Sequence, residues 1–317
     1  MKIIYLNQDH NISTTPCVAT LGFFDGVHLG HRFLIEQVIA EARLMGLASM
    51  VITFDRHPRE VLHRDYQPEL LTTLDSKLKL LERTGVDYVV VLHFDEATAM
   101  LPAKEFMSHV LRNRLNVEKL VIGYDNKFGH NPTDVFDDYV EYGRELGMEV
   151  AHNSAFKLNG IEISSSVVRT FLKEGEVELA RRCLSYPYTI TGKVVDGYKE
   201  GRKMGYPTAN LDMQNSGQLV PANGVYAVQV RIGESELCLP GMTDIGVRPT
   251  FGGKKRTLET YIFNFNEDIY GKQISLSFIK RIREERKFDN VTLLVEQLKE
   301  DERMIEELFN NKKDRDE

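Results

Sequence analysis

The decisive stretch for the fold is LGFFDGVHLGH, residues 21–31. It closes an apolar run over residues 18–24, which predicts the first strand, and leads into residues 32–45, whose apolar spacing predicts the first helix. Open α/β sheets bind ligands at such strand-to-helix turns, because the first amides of the helix point at the ligand. The stretch therefore predicts an anion-binding turn in an α/β domain.

The residue types in this turn suit a phosphate. Gly22, Gly26 and Gly30 would let the backbone approach an anion closely. His28 and His31 could both donate hydrogen bonds to the same phosphate. The alternative is a structural or solvated histidine pair, because His-x-Gly-His alone is a weak signal. A zinc site is not indicated, since no third ligand lies at a suitable spacing.

The first part of the chain, residues 1–184, alternates short apolar runs with amphipathic runs. The further predicted strands are 50–54, 88–92, 119–122 and 148–152, and the further predicted helices are 75–83, with Asp75 as N-cap, 102–115 and 133–146. This alternation predicts an α/β, Rossmann-like domain with a parallel sheet.

Residues 185–317 have a different, β-rich texture. The predicted strands are 188–195, 224–232, 236–240, 258–265 and 274–279, followed by a helix over 290–309 and a frayed charged tail over 310–317. Closely spaced strands with intervening turn residues predict a small antiparallel β-barrel with a terminal helix. We therefore expect two domains, 1–184 and 185–317.

Composition narrows the class of protein. The chain of 317 residues has 40 basic and 47 acidic side chains and a net charge of -7, which argues against a nucleic-acid partner. No apolar run is long enough for a membrane span or a secretory signal. Cys17, Cys183 and Cys238 are widely spaced and read as buried reduced thiols. We expect a cytoplasmic enzyme without a membrane partner.

The turn and three later stretches resemble the amino-terminal module of bacterial riboflavin kinase/FAD synthetases. The later stretches are TFDRHP at 53–58, GYDNKFG at 123–129 and ISSSVVR at 163–169. The resemblance implies adenylylation of FMN by ATP. Asn126 and Lys127 depart from it, because the family often has Phe and Arg there. The residues that it implies in nucleotide or flavin binding are Gly22, Phe23, Phe24, Asp25, Gly26, Gly30, Asp125, Ser164, Ser165 and Ser166.

The chemistry expected in this module follows from charge. The phosphate of FMN has a second pKa of about 6, so it can attack ATP without a general base. His28, His31 and Arg169 would stabilise the phosphate charge as catalytic residues, with Mg²⁺ on the leaving pyrophosphate. The serines and Arg169 could instead form only a helix cap and a surface side chain. His57 is either a site residue or part of a structural turn before Pro58.

The second informative stretch is GRKMGYPTANL, residues 201–211, in which Thr208 and Asn210 would face the same side of an extended segment. Their oxygens could hold Mg²⁺ or another divalent cation. By itself the stretch could be a Gly-rich hairpin. The later stretches PANGVY, IGVRPTF, ET, DIYG and RIREERKF begin at residues 221, 245, 259, 268 and 281.

Together these stretches resemble the riboflavin kinase module of the same family. The resemblance implies that Thr208 and Asn210 bind MgATP and that Glu259 is the catalytic base for a neutral ribityl hydroxyl. It also implies nucleotide or flavin contacts from Gly201, Lys203, Pro207 and Arg283. Glu259 could instead be an exposed strand carboxylate, and residues 280–287 a solvated face.

Three functional hypotheses remain. The favoured one is a bifunctional enzyme that uses ATP to phosphorylate riboflavin to FMN and then to adenylylate FMN to FAD. A second is a nucleotidyltransferase with a different phosphate acceptor, and a third is a non-catalytic flavin sensor. The predicted partners of the favoured enzyme are the small molecules riboflavin, FMN and ATP.

Overall fold

The structure, a computed structural model, describes residues 1–6, 15–62, 65, 67–124, 127–131, 133–197, 200–213, 216–250 and 253–316. By internal contacts it divides into two compact units, Met1–Ser165 and Ser166–Glu317. The domain boundary expected after residue 184 stays a prediction. Within the described residues, no helix combines the length and apolar content needed to cross a membrane.

The first unit contains a six-stranded parallel sheet with the strand order β1-β4-β3-β2-β5-β6. The strands are β1 Lys2–Leu6, β2 Cys17–Leu21, β3 Ala48–Phe54, β4 Tyr88–Leu92, β5 Val117–Ile122 and β6 Glu149–His152. The chain order reverses between β2 and β5, and a crevice at such a reversal is where open sheets bind ligands. A short hairpin, β7 Lys157–Leu158 and β8 Ile161–Glu162, follows.

Helices cover this sheet. They are α1 Leu29–Met45, α2 Pro58–Leu62, α3 Leu74–Glu82, α4 Glu96–Ala99, α5 Ala103–Phe106 and α6 Phe136–Leu146, with a π-helical segment Met107–Arg112 after α5. α1 packs against β2 and β3 through buried Leu34, Ile35 and Val38. Phe106 and Tyr139 belong to a core cluster that includes Cys17, Ala19 and Leu21 of β2. These three side chains lie on the face of the strand opposite to Val18. The Rossmann-like prediction is confirmed.

The second unit contains a closed barrel of six antiparallel strands in the order β10-β13-β12-β11-β14-β9. They are β9 Thr189–Val195, β10 Thr208–Asp212, β11 Gly224–Ile232, β12 Cys238–Thr250, β13 Gly253–Ile262 and β14 Gln273–Arg283. The helices are α7 Ser165–Glu174, which starts at the division between the units, α8 Val177–Leu184, α9 Glu200–Lys203 and α10 Val291–Asp316. The predicted barrel with a terminal helix is confirmed.

The barrel has an inner and an outer apolar layer because its strands alternate. Thr243 and Thr260 are fully buried, and their hydroxyl oxygens lie 2.9 Å apart in the interior. On the outer face, Val225 and Met242 pack against Ile305 of α10. Successive residues along a strand therefore alternate between the barrel interior and its outer face.

Several predicted boundaries are wrong. The strand ending in the decisive stretch is the second and not the first, because Lys2–Leu6 pairs with β4 as an edge strand. The N-cap of α3 is Thr73 and not Asp75: the Thr73 hydroxyl accepts the Ser76 amide. β12 runs from Cys238 to Thr250, far beyond the predicted 236–240, because it pairs with β13 along that length. α10 continues to Asp316 rather than ending at 309.

Candidate active sites

The turn after β2 has an unusual backbone. Phe24, with φ 54° and ψ 36°, and Val27, with φ 37°, both lie in the left-handed region although neither is glycine. Such conformations cost about 1–3 kcal/mol each and persist only where the surroundings hold them. Gly26, with φ 76°, adopts the same region without strain. The sequence therefore folds here into a tight 3₁₀ turn, Asp25–Val27, that must be held from outside.

Asp25 supplies part of that hold. Its buried carboxylate accepts hydrogen bonds from the amides of Leu71, at 2.9 Å, and Thr72, at 3.0 Å. The Thr72 hydroxyl in turn accepts the Gly26 amide at 3.1 Å. Charge-assisted bonds of this kind are among the stronger ones in proteins. These contacts fix the turn, and the predicted contact of Asp25 with nucleotide or flavin stays a prediction.

The two histidines meet at the start of α1. His28 is the N-cap: its Nδ1 accepts the His31 amide at 3.3 Å, so Nε2 carries the proton of the neutral ring. The rings are stacked with centroids 3.6 Å apart, and His28 is 4% exposed. Two imidazolium ions at this separation would repel each other, and a nearby polyanion would offset that repulsion. The arrangement suits an anion, as the sequence predicts.

The segment before α7 closes around the same turn. The Ser165 hydroxyl donates to the carbonyl oxygen of Asp25 at 3.0 Å. A Cβ on Gly30 would lie 2.7 Å from the carbonyl oxygen of Ile163, so a side chain there would push the helix off this segment. Residues 163–165 thus pack on the turn, although they are far from it in sequence. The glycine at position 30 allows this close approach.

Other predicted residues of this module stay predictions as ligands. Gly22 donates its amide to the Ile52 carbonyl at 3.0 Å, and the ring centroids of Phe23 and His57 lie 4.8 Å apart.

The later stretches of this module also supply predicted ligands. Ser164 directly precedes α7, Ser166 is exposed on it, and Arg169 follows in the second unit. Asp125 and Asn126 lie outside the described residues, and Lys127 is exposed.

The barrel places the kinase candidates in one row across three neighbouring strands. Asn210 of β10 pairs with Glu259 of β13, which pairs with Asp244 of β12. Paired residues of antiparallel strands project to the same face. Thr208, two residues before Asn210, lies on that face too, and its hydroxyl donates to Glu259 Oε2 at 3.4 Å. The structure thus brings together all three residues that the sequence singled out.

The row lies on the outside of the barrel. Leu258 and Thr260, which flank Glu259, are buried, whereas Glu259 itself is partly exposed. A Cβ on Gly197 would overlap the Asn210 amide group at 2.2 Å, so glycine lets the chain cross close to Asn210. A carboxylate on a rigid strand beside a hydroxyl is in a position to take a proton from a substrate.

A cleft of about 470 Å³ opens beside Thr208. Pro207, Arg202 and Tyr270 are among its lining residues, together with Glu267 and Asp268. Its size lies within the range of small-molecule sites. The predicted ligand Pro207 is thus on a cleft wall, and the DIYG stretch supplies another wall.

Two other predicted contacts have structural partners. A Cβ on Gly201 would lie 2.3 Å from the Tyr206 carbonyl oxygen, so glycine permits the turn that leads into β10. Arg283 Nε donates to both carboxylate oxygens of fully buried Asp301, at 2.9 and 3.1 Å, and so ties β14 to α10. Roles of Gly201 and Arg283 in ligand binding stay predictions. Lys203 ends α9, and its side chain lies outside the described part of the chain.

Sequence reasoning missed two charged residues beside these sites. Asp244 extends the Glu259 row, and the signal was a carboxylate directly before apolar Ile245 in an alternating strand, where the two side chains face opposite sides. Lys77 occupies the apolar stripe of α3 with Leu78 and Leu81, and it is buried. A buried charge requires a polar partner, so a lysine in an apolar stripe is itself a sequence signal of a specific contact.

The chain matches two family models in order. The one described as FAD synthetase covers residues 10–167, and the one described as riboflavin kinase covers residues 184–309.

Its relatives include the bifunctional riboflavin kinase/FMN adenylyltransferase of Escherichia coli strain K12, 39% identical over 95% of this chain and 96% of that protein. The protein of the same description from Bacillus subtilis strain 168 is 36% identical over 98% and 99%. A crystal structure described as a macrolide-efflux protein from Streptococcus pneumoniae superposes with a TM-score of 0.86 at 33% identity, covering 96% and 98%. The chain belongs to the family of bifunctional riboflavin kinase/FMN adenylyltransferases.

Proposed function

We propose that this chain catalyses two successive ATP-dependent steps, riboflavin to FMN in the barrel unit and FMN to FAD in the parallel-sheet unit. The observation that carries the proposal is the pair of chemically different sites. One has a strand carboxylate, Glu259, with Thr208 donating to it at 3.4 Å. The other has a strained turn with two stacked histidines at a helix start. These are the features that an alcohol acceptor and an anionic acceptor respectively require.

In the kinase step the nucleophile is a neutral ribityl hydroxyl. Glu259 takes the proton of that hydroxyl. At the same time the ribityl oxygen forms a bond to the γ-phosphorus of ATP, and the bond between this phosphorus and the ADP oxygen breaks. The position of Glu259 on a paired strand limits its motion, so the carboxylate needs little reorganisation. The cleft beside Thr208, of about 470 Å³, has the volume to receive part of the nucleotide.

The oxygen donors of the row fit a magnesium ion or another hard divalent cation. The Thr208 hydroxyl and the Asn210 amide oxygen would hold it, with Glu259 and phosphate oxygens close by. No group of three or more His, Cys, Asp or Glu side chains is placed for a metal within the described residues. That agrees with Mg²⁺, which is usually held by few protein groups and by substrate phosphates. When bound, it would neutralise phosphate charge.

In the adenylylation step the nucleophile is already an anion. A phosphate oxygen of FMN forms a bond to the α-phosphorus of ATP, and the bond to the pyrophosphate oxygen breaks. No proton has to be removed, so the site needs donors rather than a base. The His28 Nε2–H and the amides of Leu29 and Gly30, which precede the amide that caps on His28, are such donors.

Incubation of the purified protein with riboflavin, ATP and Mg²⁺, followed by chromatographic separation of the flavins, tests the proposal. We expect FMN to appear first and FAD to follow, and FMN supplied alone with ATP to yield FAD and pyrophosphate. Omission of Mg²⁺ with added chelator should stop both steps. FMN that is never converted would favour a nucleotidyltransferase with a different acceptor, and flavin binding without turnover would favour a sensor.

A cytoplasmic location is part of the proposal. It is supported by the use of ATP and by three cysteines that form no disulfide. Cys17 and Cys183 are buried as expected, whereas Cys238 is exposed, so the expectation of a buried thiol is wrong for Cys238. Burial raises the pKa of the Cys17 thiol to about 12, so this thiol is unreactive at neutral pH.

A further inference from the structure

Lys77 is a buried lysine next to the adenylylation turn. It lies on α3 and is 2% exposed. Its Nζ donates to the Phe23 carbonyl, the Thr53 hydroxyl and the Phe54 carbonyl, each at 3.0 Å. The same Nζ lies 4.1 Å from the centroid of the Phe23 ring. An ammonium group has three N–H donors, and all three are used here.

The acceptors of Lys77 belong to the carboxyl ends of two neighbouring parallel strands. Phe54 ends β3, and Phe23 lies in the turn that follows β2. The Thr53 hydroxyl also donates to the Phe23 carbonyl, at 3.0 Å. Lys77 therefore fastens the start of the strained turn to the adjacent strand. Apolar side chains of the same length could fill this space but could not make these bonds.

The other end of the turn is held by the residues just before α3. Thr72 binds both the Asp25 carboxylate and the Gly26 amide. One short segment, residues 71–77, thus holds both ends of the turn by hydrogen bonds, which are called its two grips below. Phe24 and Val27 keep left-handed conformations between these grips. Loss of either grip would let the turn relax and move the start of α1, which carries both histidines.

We infer that Lys77 is a positioning residue for FMN adenylylation: its ammonium group holds the turn in the conformation that presents His28 and His31 to phosphate. The inference rests on the proposed function of this turn. It adds a requirement for positive charge on a buried residue whose three N–H donors are used by protein acceptors.

The charge on Lys77 depends on pH within the working range of an enzyme. Burial lowers the pKa of Lys77 to about 8, against the opposite effect of the Asp25 and Asp55 carboxylates. Other titratable or charged groups near this assembly include His57, whose ring contacts Phe23 and whose amide donates to Glu60, and His93 and Arg56, which both contact Asp55. His28 and His31 lie in the same turn, with the His31 ring against Phe24. Lys77 is protonated below its pKa. Above it the neutral amine has only two N–H donors, so one contact is lost and adenylylation should decline.

The test measures both activities of the full-length protein between about pH 6.5 and 9.5, a window that brackets a lysine pKa of this size. Phosphorylation of riboflavin by the same molecule is the internal control. For the unaltered protein we expect the ratio of adenylylation to phosphorylation to fall as pH rises through about 8. The Lys77→Met variant should lose about tenfold or more in adenylylation kcat, the typical effect of lost hydrogen bonds, and the alkaline decline should disappear.

Two further variants keep the test decisive. Lys77→Arg should retain part of the activity and shift the decline to higher pH, because a guanidinium stays charged. Lys79→Met removes an exposed lysine of the same helix and should leave both activities unchanged.

Lys77→Met with normal adenylylation, or with reduced adenylylation and an unaltered alkaline decline, would overturn the inference. So would an unaltered protein whose activity ratio does not vary with pH. If Lys77→Met does not fold, Lys77→Arg carries the test: a decline at the original pH would overturn it. An unaltered protein that makes no FAD at any pH would instead contradict the proposed function.

Discussion

The two candidate sites use their strands in opposite ways. In the parallel-sheet unit the strands end before the site begins, and the turn after β2 supplies backbone amides and a helix start. In the barrel unit the strands themselves form the site, with side chains aligned across β10, β13 and β12. A turn thus presents several donors to an anion, whereas a strand aims a single reactive side chain.

The carboxylates of the two regions differ in the same way. Asp25 is buried, and its carboxylate accepts hydrogen bonds from the amides of Leu71 and Thr72. Glu259 is partly exposed and faces the hydroxyl of Thr208. The first carboxylate shapes the backbone and the second is open to a substrate proton.

The largest expected effect separates the two sites by their need for a base. Glu259→Gln should lower riboflavin phosphorylation by about 10²–10⁴-fold, the usual contribution of a general base, and leave FMN adenylylation intact. Flavin chromatography with riboflavin or with FMN as substrate measures the two steps. Glu236→Gln, at an exposed position of the same unit, is the matched control. Loss of both activities from a folded Glu259→Gln protein would contradict independent sites.

The histidine pair should show the reverse pattern. His28→Ala combined with His31→Ala should lower adenylylation by about 10²–10³-fold, as loss of charge-stabilising donors does, with phosphorylation retained. Because His28 is also the N-cap of α1, its removal should cost about 1 kcal/mol of stability.

His28→Asn distinguishes these two roles of the histidine. Asparagine restores a capping acceptor, so this variant should recover stability but not activity. Exposed His109→Ala is the control for a surface histidine. Recovery of full activity in His28→Asn would show that the ring acts only as a cap.

Asp25→Asn probes the grip on the turn rather than its chemistry. The Asn side chain has one oxygen and one NH₂ group, so it can accept fewer hydrogen bonds from the Leu71 and Thr72 amides than the carboxylate does. The free energy of unfolding should fall by about 1–3 kcal/mol. Urea denaturation followed by fluorescence measures this, and Asp137→Asn on the exposed face of α6 is the control. Equal losses in the two activities would contradict the localisation of the effect in the first unit.

The smallest effect is expected at Thr208. Thr208→Val keeps the shape but removes the hydroxyl near Glu259, and it should lower phosphorylation by about tenfold, the typical effect of one hydrogen bond. The KM for MgATP should rise and adenylylation should stay unchanged. Thr292→Val, exposed on α10, is the control. An unaltered KM would argue against Thr208 as a ligand of MgATP.

Local patterns predicted most of the fold. The alternation of apolar runs predicted the parallel sheet, and the strand runs Tyr88–Leu92 and Gly224–Ile232 match the structure at both ends. β1 was missed because its apolar run, Ile3 to Leu6, has only four residues, which is the lower limit of a strand signal. β12 was predicted too short because Pro240, Gly241 and Gly246 interrupt its apolar pattern, although its pairing with β13 continues past them.

Residue type and local spacing are enough to identify the kind of chemistry in each half, a glycine- and histidine-rich turn and a strand with a carboxylate. Which distant residues meet depends on the tertiary fold. Lys77 reaches Phe23 across 54 positions, Thr208 reaches Glu259 across 51, and Arg283 is bound by Asp301. The physical reason is that periodicity reports which face of an element is buried, whereas strand order and register decide what that face meets.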